Sequence, residues 1–165
     1  MVMVEFCEPS IDALNLARKE IGALRHFESY DEALATLPDI VWLATPTQFH
    51  SSQSIAALRA GCHVFCEKPM ADTVKNALAM KHAANASGKV LNVGFMLHFM
   101  PAMQRLRELI SDGSLGDILH IHARVGTYIT LLNSLSRYQA ANQGSLFLDY
   151  AHQPDLFFWL TGKVP

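Results

Sequence analysis

Short apolar runs alternate with amphipathic stretches along most of the chain. Residues 2–7 form a brief β-like run. Residues 11–22 then carry Ile11, Leu14, Ala17 and Ile21 at helical spacing. Residues 24–27 predict a second short strand. Ser29, with Glu32 three residues later, reads as a capping box that opens a helix reaching about Leu37. Residues 39–45 hold the continuous run Ile-Val-Trp-Leu-Ala, which suits a strand buried on both faces of a parallel sheet. Pro46 stops that strand. A helix follows from about His50 to Ala60, and Gly61 stands where left-handed geometry is cheap. Residues 63–66 are the next strand, stopped by Pro69. Residues 71–87 are a long helix ended by Gly88, and 90–95 are a further apolar strand.

After Phe95 the rhythm changes. Residues 101–110 predict a helix with Pro101 in its first turn. Residues 112–117 are a turn, and 118–128 read as a long strand of interleaved polar and apolar positions. Residues 129–144 are polar and irregular, and 147–160 predict a buried helix. Strand–helix alternation with short connections is the signature of a doubly wound α/β fold. The change of rhythm places a domain boundary near residues 96–100. It divides a partial dinucleotide-binding domain (1–97) from a partial α+β substrate domain (98–165).

Composition narrows the function classes. Half of the 165 residues are hydrophobic and 17% are charged, which is ample for a core. The net charge of -2 leaves no basic excess to neutralise phosphates, so nucleic acid is not an expected partner. No apolar run approaches the ~20 residues of a membrane span, and the first residues lack the features of a secretory signal. The three cysteines, Cys7, Cys62 and Cys66, read as reduced buried thiols of a cytoplasmic protein. Their spacing does not suit zinc. His120 and His122 share one side of the predicted strand without a third ligand, and no metal is expected.

Ligands of a doubly wound sheet bind at the carboxyl ends of its strands. The residues there are Glu8-Pro9, Thr45-Pro46-Thr47-Gln48-Phe49-His50 and Glu67-Lys68-Pro69, each polar and each stiffened by a proline. Three groups of residues now resemble one family: Val41 to His50, Ala60 to Pro69 with Gly94-Phe95 and Pro101, and Leu148 to Asp155 with Trp159 and Gly162. The family is Gfo/Idh/MocA, that of glucose–fructose oxidoreductase and inositol dehydrogenase. The likeness runs over nearly the whole chain.

The resemblance implies an oxidoreductase that moves a hydride between NAD(P) and a hydroxyl carbon of a sugar, polyol or similar small molecule. It also implies a homo-oligomer. It places Glu8 at the adenine ribose, where a carboxylate favours NAD over NADP. Thr45, Pro46 and His50 match the loop beside the cofactor. Glu67-Lys68-Pro69 matches a signature triplet whose lysine lies near the nicotinamide and the reacting hydroxyl. His152 matches the acid/base histidine, with Asp149 and Asp155 three residues to either side at helical spacing. The implied catalytic set is therefore Lys68, His152 and Asp149.

Some of the family's pattern is missing. No Gly-x-Gly occurs among the nine glycines, so the turn that cradles a pyrophosphate is absent. The chain is expected to start at the family's second strand. The expected fold is thus an incomplete Rossmann-like sheet lacking its first strand and glycine-rich loop. In the order 3-2-1-4-5-6 that omission opens a gap of about 10 Å in the middle of the sheet. His98 and Met100 stand where the family commonly has Arg and His. Pro154 is expected to cost its helix a hydrogen bond. These departures sustain an alternative reading: a truncated, non-catalytic module for binding or oligomerisation. A reading frame that starts upstream is a third.

Overall fold

The computed structural model describes residues 3–21, 25–124 and 151–163. The elements are β1 (Phe6–Cys7), α1 (Ile11–Ile21), β2 (His26–Phe27), α2 (Tyr30–Ala35), β3 (Ile40–Leu43), α3 (Thr47–Arg59), β4 (His63–Cys66), α4 (Val74–Ser87), β5 (Leu91–Val93), a 3-10 turn η1 (Met96–Phe99), α5 (Pro101–Ser111) and α6 (His152–Thr161). All strand pairing is parallel. β1 pairs with β2, while β3, β4 and β5 form a separate three-stranded sheet in that order. In a 3-2-1-4-5-6 order the break between the sheets would fall between β1 and β3, where that order puts the strand this sequence was expected to lack.

The core lies between the larger sheet and α3 and α4. Leu43, Val64 and Cys66 point inward from the strands and meet Ala57, Leu58, Cys62 and Met80. Alternation along β4 explains the choice: Val64 and Cys66 are buried, and the residues between them are not. Helix α4 begins on a formed cap, with the Asn76 N–H donating to Thr73 Oγ1 at 3.2 Å. Gly61 and Gly88 adopt φ of +91° and +66°, as their places after α3 and α4 required.

Several expectations are corrected. Burial of β3 on both faces fails: Ile40 is 65% and Trp42 69% exposed. Among the described residues α3 and α4 cover one face, and on the other Trp42 has the Phe65 ring at 5.0 Å. Ser29 does precede α2, but its side chain makes no cap bond, so the capping box does not form. Helix α3 starts at Thr47, one turn before His50. Residues 118–124 are not a strand but irregular, and His120 and His122 are exposed there. Residues 125–128, the segment 129–144 and Asp149 lie outside the described residues. Cys62 and Cys66 are free and buried, as expected, whereas Cys7 is exposed.

The objection to Pro154 also falls. Helix α6 begins at His152, so Pro154 lies in the first turn, where a backbone N–H has no helical acceptor.

Candidate active site

The strands β3, β4 and β5 lie side by side, and β3 and β4 each hand over to a polar turn. After β3, the Thr45 hydroxyl donates to Gln53 Oε1 at 2.6 Å, and the Tyr30 hydroxyl donates to the Gln53 backbone oxygen at 2.7 Å. Gln53 on α3 thus ties the Thr45 turn to α2. Burial pushes the Tyr30 phenol far up, so it acts as a fixed donor. Pro46 is exposed and serves as the N-cap residue of α3.

His50 is 1% exposed. Its Nδ1 lies 2.8 Å from the Pro69 carbonyl oxygen and its Nε2 2.7 Å from that of Thr45. Carbonyl oxygens only accept, so the ring acts here as a donor. It joins the turn after β3 to the turn after β4. The resemblance placed His50 beside a cofactor; in the structure it is buried and joins the two turns. No signal in the sequence separated those roles, since both need a histidine in the first turn of α3.

After β4 come Glu67, Lys68 and Pro69, with a cis Lys68–Pro69 peptide. The Glu67 N–H continues the sheet by donating to the Leu43 oxygen at 2.9 Å. The Glu67 carboxylate lies over Gly94, just beyond β5. A Cβ at Gly94 would stand 2.9 Å from Glu67 Oε2. Gly94 is therefore a site residue by virtue of the side chain it lacks. The resemblance included it, but its partner was not legible.

His152 opens α6 and meets the Phe95 ring edge-on at 5.9 Å. Its Nδ1 is buried, with no hydrogen-bond partner among the described residues. The imidazole pKa is lowered from 6.5, first by burial and next by the Lys68 ammonium; Asp155 and Glu67 oppose the shift and His98 adds to it. Lys68, Glu67 and His152 are thus close enough to feel one another's charge, although they come from distant parts of the chain.

Asp155 was expected to orient His152. Its Oδ2 instead lies 2.6 Å from His98 Nε2. The two atoms are close without making a directed hydrogen bond. The His98 ring also stacks on Trp159, with centroids 4.6 Å apart and planes at 8°. Arg107 covers Trp159 at 4.4 Å. Sequence reasoning treated His98 only as a departure from a pattern.

Glu8 ends the smaller sheet. Its N–H donates to the Phe27 oxygen at 3.1 Å, and its Oε1 accepts from the Ser10 N–H at 2.8 Å. Nothing described links it to Lys68 or His152. Among the described residues no three His, Cys, Asp or Glu side chains are grouped to hold a metal. None of the described helices is long and apolar enough to cross a membrane.

Comparison with known proteins fits this arrangement. Residues 2–95 match the family model described as the GFO/IDH/MocA oxidoreductase family, NAD-binding Rossmann fold. Residues 103–165 match the GFO/IDH/MocA C-terminal domain. D-glucoside 3-dehydrogenase of Escherichia coli K12 is 44% identical over 91 residues, which cover 55% of this chain and 26% of that protein. Inositol 2-dehydrogenase of Corynebacterium glutamicum is 28% identical over 159 residues, 94% of this chain and 45% of that one. The crystal structure of scyllo-inositol dehydrogenase from Lactobacillus casei, with bound NAD(H) and scyllo-inositol, superposes with a TM-score of 0.85 at 28% identity. It covers 97% of this chain and 48% of that one. The chain spans less than half the length of each of these relatives.

Proposed function

Because the chain belongs to the GFO/IDH/MocA oxidoreductase family, we propose that its site serves NAD-linked hydride transfer at a hydroxyl carbon of a sugar or polyol. One observation carries this reading. The Lys68 ammonium acts on the His152 imidazole, whose Nδ1 is buried and has no hydrogen-bond partner among the described residues. An orphaned buried nitrogen is costly unless a ligand or water completes it.

The residues fit a dinucleotide unevenly. Glu67, Lys68, Gly94 and His152 suit the nicotinamide end, with Thr45 and Pro46 beside it and Glu8 available to a ribose. For the pyrophosphate end, these 165 residues contain no Gly-x-Gly. When bound, NAD supplies the hydride acceptor. The chain's own part is the proton. A neutral His152 takes the hydroxyl proton, and the Lys68 cation stabilises negative charge growing on that oxygen. Glu67 sits on Gly94 and shapes the wall beside them. His50 contributes by placement, holding the turns that carry Thr45 and Lys68. Asp149 is retained in the proposed catalytic set as the family's partner to His152. The proposed division at residues 97 and 98 separates the Lys68 half from the His152 half.

Free cysteines suit the reducing cytoplasm, where we place the protein. A homo-oligomer is part of the same proposal and is read by size-exclusion chromatography. The primary test is NADH binding by fluorescence, followed by a screen of inositols, glucosides and related polyols for NAD reduction. Binding and turnover of any of these supports the reading. No dinucleotide affinity at millimolar cofactor rejects it for this chain and leaves the non-catalytic module.

Two further results are expected. The first concerns pH. The folded-state pKa of His152 lies below 6.5, so His152 is neutral at pH 7 and the rate of oxidation falls only as pH drops through that lowered value. Stability follows the same sign. The unfolded chain binds the proton more readily, so this group's contribution is lost as pH falls below 6.5 and the loss is complete below the folded value. A pH–rate profile with its acid limb centred above 6.5 would reject the assignment. The second concerns Gly94→Ala. The added Cβ displaces the flexible end of Glu67 while sparing the backbone. Turnover is expected to drop while the melting temperature moves little. A matched fall in both, seen by assay and thermal melt, would assign Gly94 to folding alone.

A further inference from the structure

We propose that His98 is a positioning residue: it seats the first two turns of α6 on η1 and so fixes where His152 stands relative to Lys68. The proposal rests on the reading of His152 given above. His98 follows β5 through Gly94 and Phe95, and its N–H donates to the Phe95 oxygen at 3.2 Å, which holds η1 to the end of the sheet. On α6, His152, Asp155 and Trp159 are three and seven residues apart and form one stripe. η1 and the residue before it grip all three members. Phe95 meets His152 at 5.9 Å, His98 Nε2 lies 2.6 Å from Asp155 Oδ2, and the His98 ring stacks on Trp159 at 4.6 Å. Arg107 of α5 closes the far face of Trp159 at 4.4 Å.

The His98 and Asp155 side chains are 23% and 19% exposed, so the contact is sheltered from solvent. Among the described elements, α6 packs chiefly on η1 and α5. His98 thus lies on the short structural path from the end of β5 to the imidazole. It acts through His152, because its ring face and its Nε2 are both engaged by α6. An imidazole stacked on the indole also satisfies two demands that a plain apolar contact would not. It buries area against Trp159, and it sets a polar ring beside the buried Asp155 Oδ2.

The test uses the intact chain without cofactor, so it does not depend on turnover. The His152 ring titration is followed by NMR and assigned by its loss in His152→Ala. Acrylamide quenching of Trp159 is followed in a Trp42→Phe background. In the parent chain the His152 midpoint lies below the ordinary histidine value and Trp159 is shielded. His98→Ala is expected to return the midpoint toward the ordinary value and to expose Trp159. His98→Phe keeps the stacked ring and is expected to hold both readouts near the parent. Lys68, Glu67, Asp155 and His98 are the charged groups that act on His152, and Lys68→Ala calibrates how far loss of one charge moves it. Parent-like values in His98→Ala overturn the proposal. Equal shifts in the Ala and Phe variants overturn it as well, since they would trace the effect to charge and not to placement. Should His98→Ala fail to fold, His98→Phe decides by itself: parent-like values uphold the seat, and a freed Trp159 refutes it.

Discussion

Lys68→Ala is expected to lower the turnover of NAD-linked oxidation by roughly 10²–10³-fold, the range seen when a charge aimed at a developing oxyanion is removed. His152→Ala is expected to cost roughly 10²–10⁴-fold, the usual contribution of a placed general base. The double variant is the sharper measurement. The two residues serve the same oxygen and its proton, so the combined loss falls short of the product of the single losses. Steady-state kinetics followed by NADH absorbance read all three. The structure adds a control that needs no activity: removing Lys68 takes away the second-largest cause of the lowered His152 pKa, so the His152 titration moves up. A pair of single variants with parental turnover, or an unmoved His152 titration in Lys68→Ala, would remove the shared site.

The largest effect on stability is expected at His50. His50→Phe keeps the ring's shape and removes the ring nitrogens that face the Thr45 and Pro69 carbonyls. An orphaned buried polar group costs about 1–3 kcal/mol, so the loss is on that order. For a chain of this length each kcal/mol lowers Tm by about 2–4 °C. The melt is therefore expected to shift by roughly 2–12 °C, and urea unfolding should show the same change without an altered slope. An unchanged melting point would mean that the ring is not holding the two turns.

The sequence carried much of this. Parallel strands 40–43, 63–66 and 91–93 and the helices between them were legible because apolar runs and glycine or proline stops mark them independently of context. Lys68 and His152 were legible only through family resemblance. Nothing in their spacing brings residues 84 positions apart to one place. The burial of β3 misled for a physical reason. An apolar run reports what could be covered, and Trp42 has no cover among the described residues. The strand expected at 118–128 failed in its described part because alternation is only a local signal, whereas a strand needs a neighbour to bond. The role of Asp155 failed on direction: helical spacing put it on the same stripe as His152 but could not show that His98 would reach it first.

Burial is distributed unequally between the two sheets, and that bears on how the chain opens. Among the described residues, every side chain less than 2% exposed, Leu58, Met80, His50, Cys62, Cys66, Ser54 and Ala57, belongs to the β3–α3–β4–α4 unit, while Leu14 is the one deeply buried residue on the side of β1 and β2. Amide exchange reports such a difference as two foldons, a protected one and one that unlatches at small cost. Glu8 sits on the second, Lys68 on the first. A dinucleotide that engaged both would act as a splint across them, and its adenine half would gain less affinity than its contacts suggest, because part of that interaction is spent on ordering the weaker foldon.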